Sequence, residues 1–473
     1  MGRILGFYAL PHPPIVIPEI GRGEEDAIRN TSEAFDRVSL EIAGLKPDTI
    51  IIVTPHGPLF QDAIALTSEK EIRGNLGRFG ASKVAFHYNI NSSLTDRICD
   101  LAEEAGVPCV QITHKSAKAY GAACELDHGT MVPLYFINKR YADYRLVHIT
   151  YGLLNKVQLY RFGMCIQKAV EDSTDNVVFI ASGDLSHRLK KDGPYEYSPY
   201  GAVFDRDIKA LLEMGDTAGV FSMDPRIIKE AGECALNSYY ILLGVMNGYE
   251  WKGKTYSYEG VFGVGYLIMS FEVNDEIEKN EDILAKIIEQ EVGKFKNEKY
   301  NEDPYVNLAK ESLIYYITHG KYMPVPSYAT EEMTNTRSGV FVSIKKNGEL
   351  RGCIGTIKPT TGSIAQEIIR NAVEAGMYDP RFSPVRIEEW NDLDFSVDVL
   401  THPQPAVREE LDPKKYGVIV RSGYKSGLLL PDLEGVDTVE DQLKIALRKA
   451  GISPWEPYTI EKFQVIRHKG EQP

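Results

Sequence analysis

Four polar elements follow short apolar runs in the first half of this chain: His12 after RILGFYAL, His56 after TIIIVTP, His128 in LDHG, and the pair Asp184 and His187 in VVFIASGDLSHRL. A fifth, Glu233-Cys234 in AGEC, adds a carboxylate and a thiol. These are the side chains that ligate a metal or move a proton. Two imidazoles and one carboxylate can hold Fe(II) and leave positions open for a substrate and O2. A further imidazole in the same pocket can serve as acid or base, because its free pKa lies near neutrality.

Such side chains must be gathered by a scaffold, and buried strands deliver residues to one rim of a sheet. Residues 3–9, 49–54, 108–112, 145–150 and 177–182 are apolar runs that predict buried strands. Helical patterns lie between them at 24–44, 92–105, 155–172 and 203–214. This alternation predicts an α/β domain over 1–274 with a mostly parallel sheet, closed by a helix at 234–246 and a β-rich stretch at 254–272. Residues 275–303 hold ten acidic and five basic residues. Ile283, Leu284, Ile287, Ile288, Val292 and Phe295 nevertheless keep helical spacing, which predicts a charged amphipathic linker helix over 275–302. A second, α+β domain is expected over 303–473, with strands at 339–345, in LRGCIGTI and at 393–400, and helices at 304–319, 362–376 and 437–450.

Composition narrows the function. A chain of 473 residues suggests two or three domains. A formal net charge of −14 argues against a general nucleic-acid or anionic-membrane binder. The six cysteines (99, 109, 124, 165, 234, 353) form no CxxC pair, so a reduced, cytoplasmic protein without disulfides is expected. MGRILGFYALPHPP is broken too soon by proline to be a signal peptide, and no apolar run approaches the ~20 residues of a membrane helix.

The ordered set HPP (12–14), TPHG (54–57), LDHG (126–129), SGDLSHRL (182–189) and AGEC (231–234) resembles the class III extradiol dioxygenases of the LigB type, over roughly residues 1–272. The resemblance implies a non-haem Fe(II) site from His12, His56 and Glu233. It also implies His187 as acid/base and His128 as a pocket residue that assists a catechol-like aromatic substrate and O2. The sequence is similar as well to the Memo family, which has the same fold. There a DxxH element and a late cysteine sit at the metal site, here Asp184, His187 and Cys234, with another divalent metal as the alternative to iron. Which of the adjacent Glu233 and Cys234 faces the metal stays open. A lone histidine at a strand end is more often structural, so the order of the whole set carries the assignment. Asp184 also reads as a helix cap or a partner of His187, Cys234 as a small buried residue, and His87, His114 and His148 as structural.

In the second domain, ELRGCIGTIKP (349–359), with PYVNLAKESL, DPRFSPV and SGLLLPDLEGVDTVEDQLKIALRKAGI in order, resembles the AMMECR family. Arg351 and Cys353 are expected to face a pocket with Asp379, Arg381 and His402. The competing reading is a tight strand whose glycines serve packing. The resemblance implies a shared substrate for the two domains and a radical SAM protein as partner. No CxxxCxxC motif places that chemistry in this chain. A homo-oligomer is compatible with the sequence. The expected function is an iron-dependent ring-cleaving oxidoreductase. The alternatives are a Memo-like metal-binding module without oxygenase activity, and a metal-dependent hydrolase or lyase.

Overall fold

The computed structural model describes residues 1–274, 303–385, 387–433 and 435–469. The expected linker helix over 275–302 lies outside them. The chain divides into two compact units, Met1–Gln290 and Glu291–Pro473.

Among its described residues the first unit holds ten strands: β1 (Arg3–Leu10), β2 (Thr49–Thr54), β3 (Ile64–Thr67), β4 (Glu71–Leu76), β5 (Ala81–Asn89), β6 (Cys109–Ile112), β7 (Arg145–Thr150), β8 (Asn176–Ser182), β9 (Glu250–Glu259) and β10 (Tyr266–Asn274). Eight form one sheet in the order β6-β3-β7-β2-β8-β1-β10-β9. Its centre, β7-β2-β8-β1, is parallel. The flanks are not: β3 runs antiparallel to β7 and β10 antiparallel to β1. The sheet is therefore mixed, and the expected parallel arrangement holds for its centre.

The central strands are rich in apolar residues because both faces of the sheet are covered, and β2, TIIIVT, is β-branched throughout. Every residue of β2 is buried. Alternate residues face opposite layers, so Ile50, Ile52, Val178 and Ile180 share one cluster with Phe35 and Val38 of the helix Arg29–Leu45. There Phe35 stacks on Phe136 of the helix His128–Asn138, with centroids 4.5 Å apart. Strands β4 and β5 form a separate hairpin. It was illegible as a sheet element because ASKVAFHYN alternates apolar with exposed polar residues and has no apolar run.

Among its described residues the second unit holds eight strands: β11 (Val340–Lys346), β12 (Glu349–Gly355), β13 (Leu393–Leu400), β14 (Gln404–Ala406), β15 (Gly417–Ser422), β16 (Lys425–Leu429), β17 (Thr459–Phe463) and β18 (Val465–Lys469). They form two antiparallel sheets, β12-β11-β13-β18 and β14-β17-β15-β16. The helices Pro304–His319 and Ile364–Met377 bury their apolar residues with the first sheet, and Val439–Ala450 with the second.

Candidate metal centre

The parallel strands end on one rim, and the chain leaves three of them with a polar residue two positions on: His12 after β1, His56 after β2, Asp184 after β8. Carboxyl ends of parallel strands are where α/β folds collect their sites.

His12 is only 1% exposed, so its ring must be satisfied from within. Ser182 Oγ donates to the Gly129 carbonyl at 2.5 Å, and its lone pair faces His12 Nδ1 at 2.9 Å. The network thus assigns the proton to Nδ1 and leaves Nε2 with a free lone pair. That Nε2 lies 3.0 Å from His56 Nε2. Two nitrogens on one ion, each at about 2.1 Å, stand roughly 3.0 to 3.4 Å apart. His128 completes the group, since the ligand nitrogens of His12, His56 and His128 all lie within 4.8 Å of one another. The His128 ring stacks on His56 at 4.2 Å, with Phe79 5.3 Å away on it. The three imidazoles therefore fit one metal ion, and Ser182 orients the deepest of them. Ser182→Ala should weaken metal affinity roughly 10- to 100-fold, measured by competition with a chelator, while the fold is retained.

A second buried network sets His56 against His128. Asp127 caps the helix His128–Asn138 by accepting from Thr130 N–H at 3.2 Å. Its carboxylate also accepts from Thr54 Oγ1 at 2.6 Å and meets His148 Nε2 at 3.1 Å, and His148 Nδ1 meets Thr67 Oγ1 at 2.9 Å. Burial pushes the Asp127 pKa up, but His148 and the Thr54 hydroxyl outweigh it and hold the carboxyl well below its usual range. The ends of β2 and β3 and the middle of β7 are thereby tied to the helix that starts at His128. Gly129 allows this approach: a Cβ there would stand 2.3 Å from Thr54 Oγ1 and 3.4 Å from His56 Cδ2. Of these residues Asp127 left a signal in the sequence, an aspartate preceding a helical run. Ser182, Thr54 and Thr67 left none.

The segment after β8 is pinned without regular structure. Leu185 N–H donates to the Gly265 carbonyl and Gly265 N–H to the Ser186 carbonyl, both at 2.8 Å. Ser186 N–H donates to Asp205 at 2.8 Å, and His187 N–H to the Ala231 carbonyl at 3.2 Å. This aims His187 at the centre, with Tyr195 stacked on its ring at 5.1 Å. Asp184 accepts from His12 N–H at 2.8 Å, and its other oxygen lies 3.8 Å from His12 Nε2. Cys234 Sγ sits between the two functions, 3.6 Å from His12 Nε2 and 3.8 Å from His187 Nε2. Glu233 points elsewhere: its carboxylate accepts from Leu236 N–H at 2.6 Å, at the start of the helix Leu236–Val245. The expected site residues thus fall into two groups. His12, His56, His128, Asp184, His187 and Cys234 come together, while Glu233 is engaged by backbone. Tyr239 OH, wholly buried, has no hydrogen-bond partner among the described residues, and the charges of Glu233, Cys234 and Asp184 reach it.

Electrostatics suits ligation. Burial, then the neighbouring His56, holds His12 far below the usual imidazole range. Burial, then His12, brings His128 down to about 4. Burial also lowers His187 and lifts Asp184 to about 6. Near pH 7 the imidazoles are neutral, the form that ligates or accepts a proton.

Asp205 behind this segment gives a pH test. Burial lifts its pKa to about 7, against ~3.9 for an unfolded aspartate. The folded chain therefore holds an extra proton between those values, and the stability tied to this residue falls as pH rises through that window. Melting followed at about pH 5 and about pH 8 should show a smaller loss at high pH for Asp205→Asn than for the parent.

In the second unit, Arg351 is spent on structure. It grips Glu389 through Nε at 3.1 Å and Nη2 at 2.9 Å, and donates to the carbonyls of Ser383 and Pro384. Cys353 N–H donates to Asp379 at 2.9 Å, Arg381 pairs with Asp379 at 2.7 Å, and Ser343 Oγ meets Cys353 Sγ at 3.3 Å. Cys353, Asp379 and Arg381 are therefore neighbours. Arg351 faces Glu389, and His402 is exposed on the stretch between β13 and β14.

Residues 6–269 match the family model for the catalytic LigB subunit of aromatic ring-opening dioxygenase. The chain belongs to the LigB family. Residues 306–468 match the AMMECR1 family, so this LigB protein carries an AMMECR1 domain. It is similar to Protein CA_C1420 of Clostridium acetobutylicum, 55% identical across 98% of this chain and 99% of that one. A Thermotoga maritima protein is 49% identical over 36% of this chain and 98% of its own length. A solved Pyrococcus horikoshii structure covers 34% of this chain and 88% of its own, at 30% identity and a TM-score of 0.32. Among the described residues of this LigB-family chain no helix is long and apolar enough to cross a membrane.

Proposed function

We propose that the LigB-type unit is a non-haem Fe(II)-dependent oxidoreductase of the extradiol dioxygenase type, acting on a catechol-like aromatic substrate. The observation that carries this reading is the three-imidazole group at the strand ends, with a fourth imidazole, His187, beside it on a pinned segment. His12, His56 and His128 would hold the metal, with Asp184 as the nearest carboxylate. A bound Fe(II) would lower the pKa of a substrate phenol and hold catecholate and O2 side by side. Ring opening breaks one carbon–carbon bond and places both oxygen atoms in the product, so no outside reductant is needed. His187, kept neutral by burial, takes the phenol proton at its ring nitrogen and returns it to the product. Tyr195 holds that ring flat, and Phe79 walls the pocket beside His128.

Anaerobic loading with Fe(II), followed by O2 and a panel of catechols, tests the reading. A yellow ring-opened product is expected, and iron bound without turnover on any catechol would count against it. One observation favours a second reading, a Memo-like module without oxygenase activity that works with a radical SAM partner: Cys234 and Asp184 lie against His12, while the Glu233 carboxylate does not. Under the dioxygenase reading with the three imidazoles as ligands, His128→Ala abolishes iron binding and Cys234→Ala is mild. Under the second reading the order reverses. The AMMECR1 unit is proposed to bind the shared substrate or that partner, with Cys353, Asp379 and Arg381 as its candidate face.

A further inference from the structure

The AMMECR1 unit has a groove of about 350 Å³ that none of Arg351, Cys353, Asp379 or Arg381 lines. Its floor and walls are Met323, Pro324, Val325 and Ile369, and its rim carries Tyr322, Thr361, Gln366 and Arg370. The volume lies at the small end of ligand cavities, ~300 to 1,000 Å³.

Both walls are held in place by polar groups beneath them. On one side, Met323 Sδ lies 3.4 Å from Ser312 Oγ, and Tyr322 OH donates to Glu374 at 3.2 Å. On the other, the turn Thr360–Gly362 is wrapped around Glu367, a carboxylate with 0% exposure. It accepts from the hydroxyls of Thr356, Thr360 and Thr361 at 2.5, 2.8 and 2.7 Å, and from the N–H groups of Thr360 and Thr361 at 3.0 and 2.9 Å. Burying a carboxylate is costly unless it is fully hydrogen-bonded, and this one is. The result is a rigid, preformed turn at the lip of the groove.

The hydrogen-bonding capacity left at the rim is mostly donor. Gln366 Oε1 accepts from Gly362 N–H at 2.9 Å, and its Nε2 has no partner among the described residues. Arg370 Nη1 donates to Thr360 Oγ1 at 2.5 Å, and the guanidinium has no carboxylate partner among the described residues. Glu374, one helical turn on, would be the natural ion-pair mate, but it receives the Tyr322 hydroxyl instead. An apolar floor with a guanidinium that has no carboxylate partner among the described residues and an amide donor at its lip matches a ligand with an apolar body and one carboxylate.

We propose that this groove binds a small, largely apolar carboxylic acid, its carboxylate on Arg370 and Gln366 and its body on Met323, Val325 and Ile369. The groove is lined by residues of the AMMECR1 unit alone, and binding there draws on none of the metal-centre residues. The test is titration of the full, metal-free chain with 1-naphthoate and with its neutral counterpart 1-naphthalenemethanol, followed by calorimetry and by hydrogen exchange over residues 321–328. Saturable naphthoate binding is expected, with exchange slowed in that segment. Arg370→Gln should weaken it roughly tenfold or more, Val325→Trp should block it, and His56→Ala should leave it unchanged. Because Arg370 is exposed, its replacement leaves the core intact. No saturable binding, equal binding of the neutral probe, an unchanged affinity in Arg370→Gln or Val325→Trp, or loss of binding in His56→Ala would each overturn the proposal.

Discussion

His56→Ala should bring bound metal from about one ion per chain to near none, while the metal-free chain keeps its melting temperature. His56 is the exposed member of the imidazole group, reached from solvent past the end of β2. Its removal takes away one ligand, and the buried nitrogen it leaves, His12 Nε2, still has Cys234 Sγ 3.6 Å away. An exposed substitution of that kind typically changes stability by less than ~0.5 kcal/mol. Loss of one of three imidazole ligands removes most of the affinity of a small site. His12→Ala would lose the metal too, but it is a poorer experiment: His12 is buried and holds Ser182, so binding and folding would fall together. Metal content after anaerobic loading and dialysis, read beside a thermal melt, separates the two. Full retention of metal in His56→Ala would sink the assignment of the centre.

His187→Ala should keep the metal and lower turnover on any accepted catechol by roughly 10²- to 10⁴-fold, the range a positioned acid/base contributes. The imidazole is not one of the three that cluster around the candidate ion; Tyr195 stacks on its ring, and its backbone N–H is held by the Ala231 carbonyl. Its replacement therefore subtracts proton transfer and leaves binding in place. Metal content equal to the parent, with a depressed turnover and a nearly unchanged KM for substrate, is the expected signature. A variant that loses iron along with activity would instead make His187 a ligand, as the Memo-like set of Asp184, His187 and Cys234 requires.

Much of the scaffold was legible in the residues themselves. TIIIVT is β-branched throughout and NVVFIAS is apolar from Val177 to Ala181, a pattern that fits strands covered on both faces, and they became the central strands β2 and β8. The helix Pro304–His319 was readable from its periodic apolar residues and from Pro304 at its first position. The strand hairpin β4–β5 and the second sheet of the AMMECR1 unit were not: β4 and β5 mix buried with exposed residues, and among β14–β17 only β15, GVIVRS, holds a buried apolar run. Their pairing is decided by partners far along the chain rather than by local pattern.

The same division holds for the centre. Residue type and order alone singled out His12, His56, His128, Asp184, His187 and the Glu233-Cys234 pair, because few side chains ligate metals or move protons near neutrality. Which of two neighbours faces inward is a matter of backbone direction, and only the folded chain decides it. Gly232 takes a positive φ of 62°, the chain turns, and Cys234 meets His12 while Glu233 meets the amide of Leu236. The groups that orient the ligands, Ser182 behind His12 and Asp127 with His148 behind β2, are ordinary buried polar residues in sequence. They acquire a role only when strands separated by more than a hundred residues end side by side, since a hydrogen bond depends on distance and angle, which no spacing along the chain encodes.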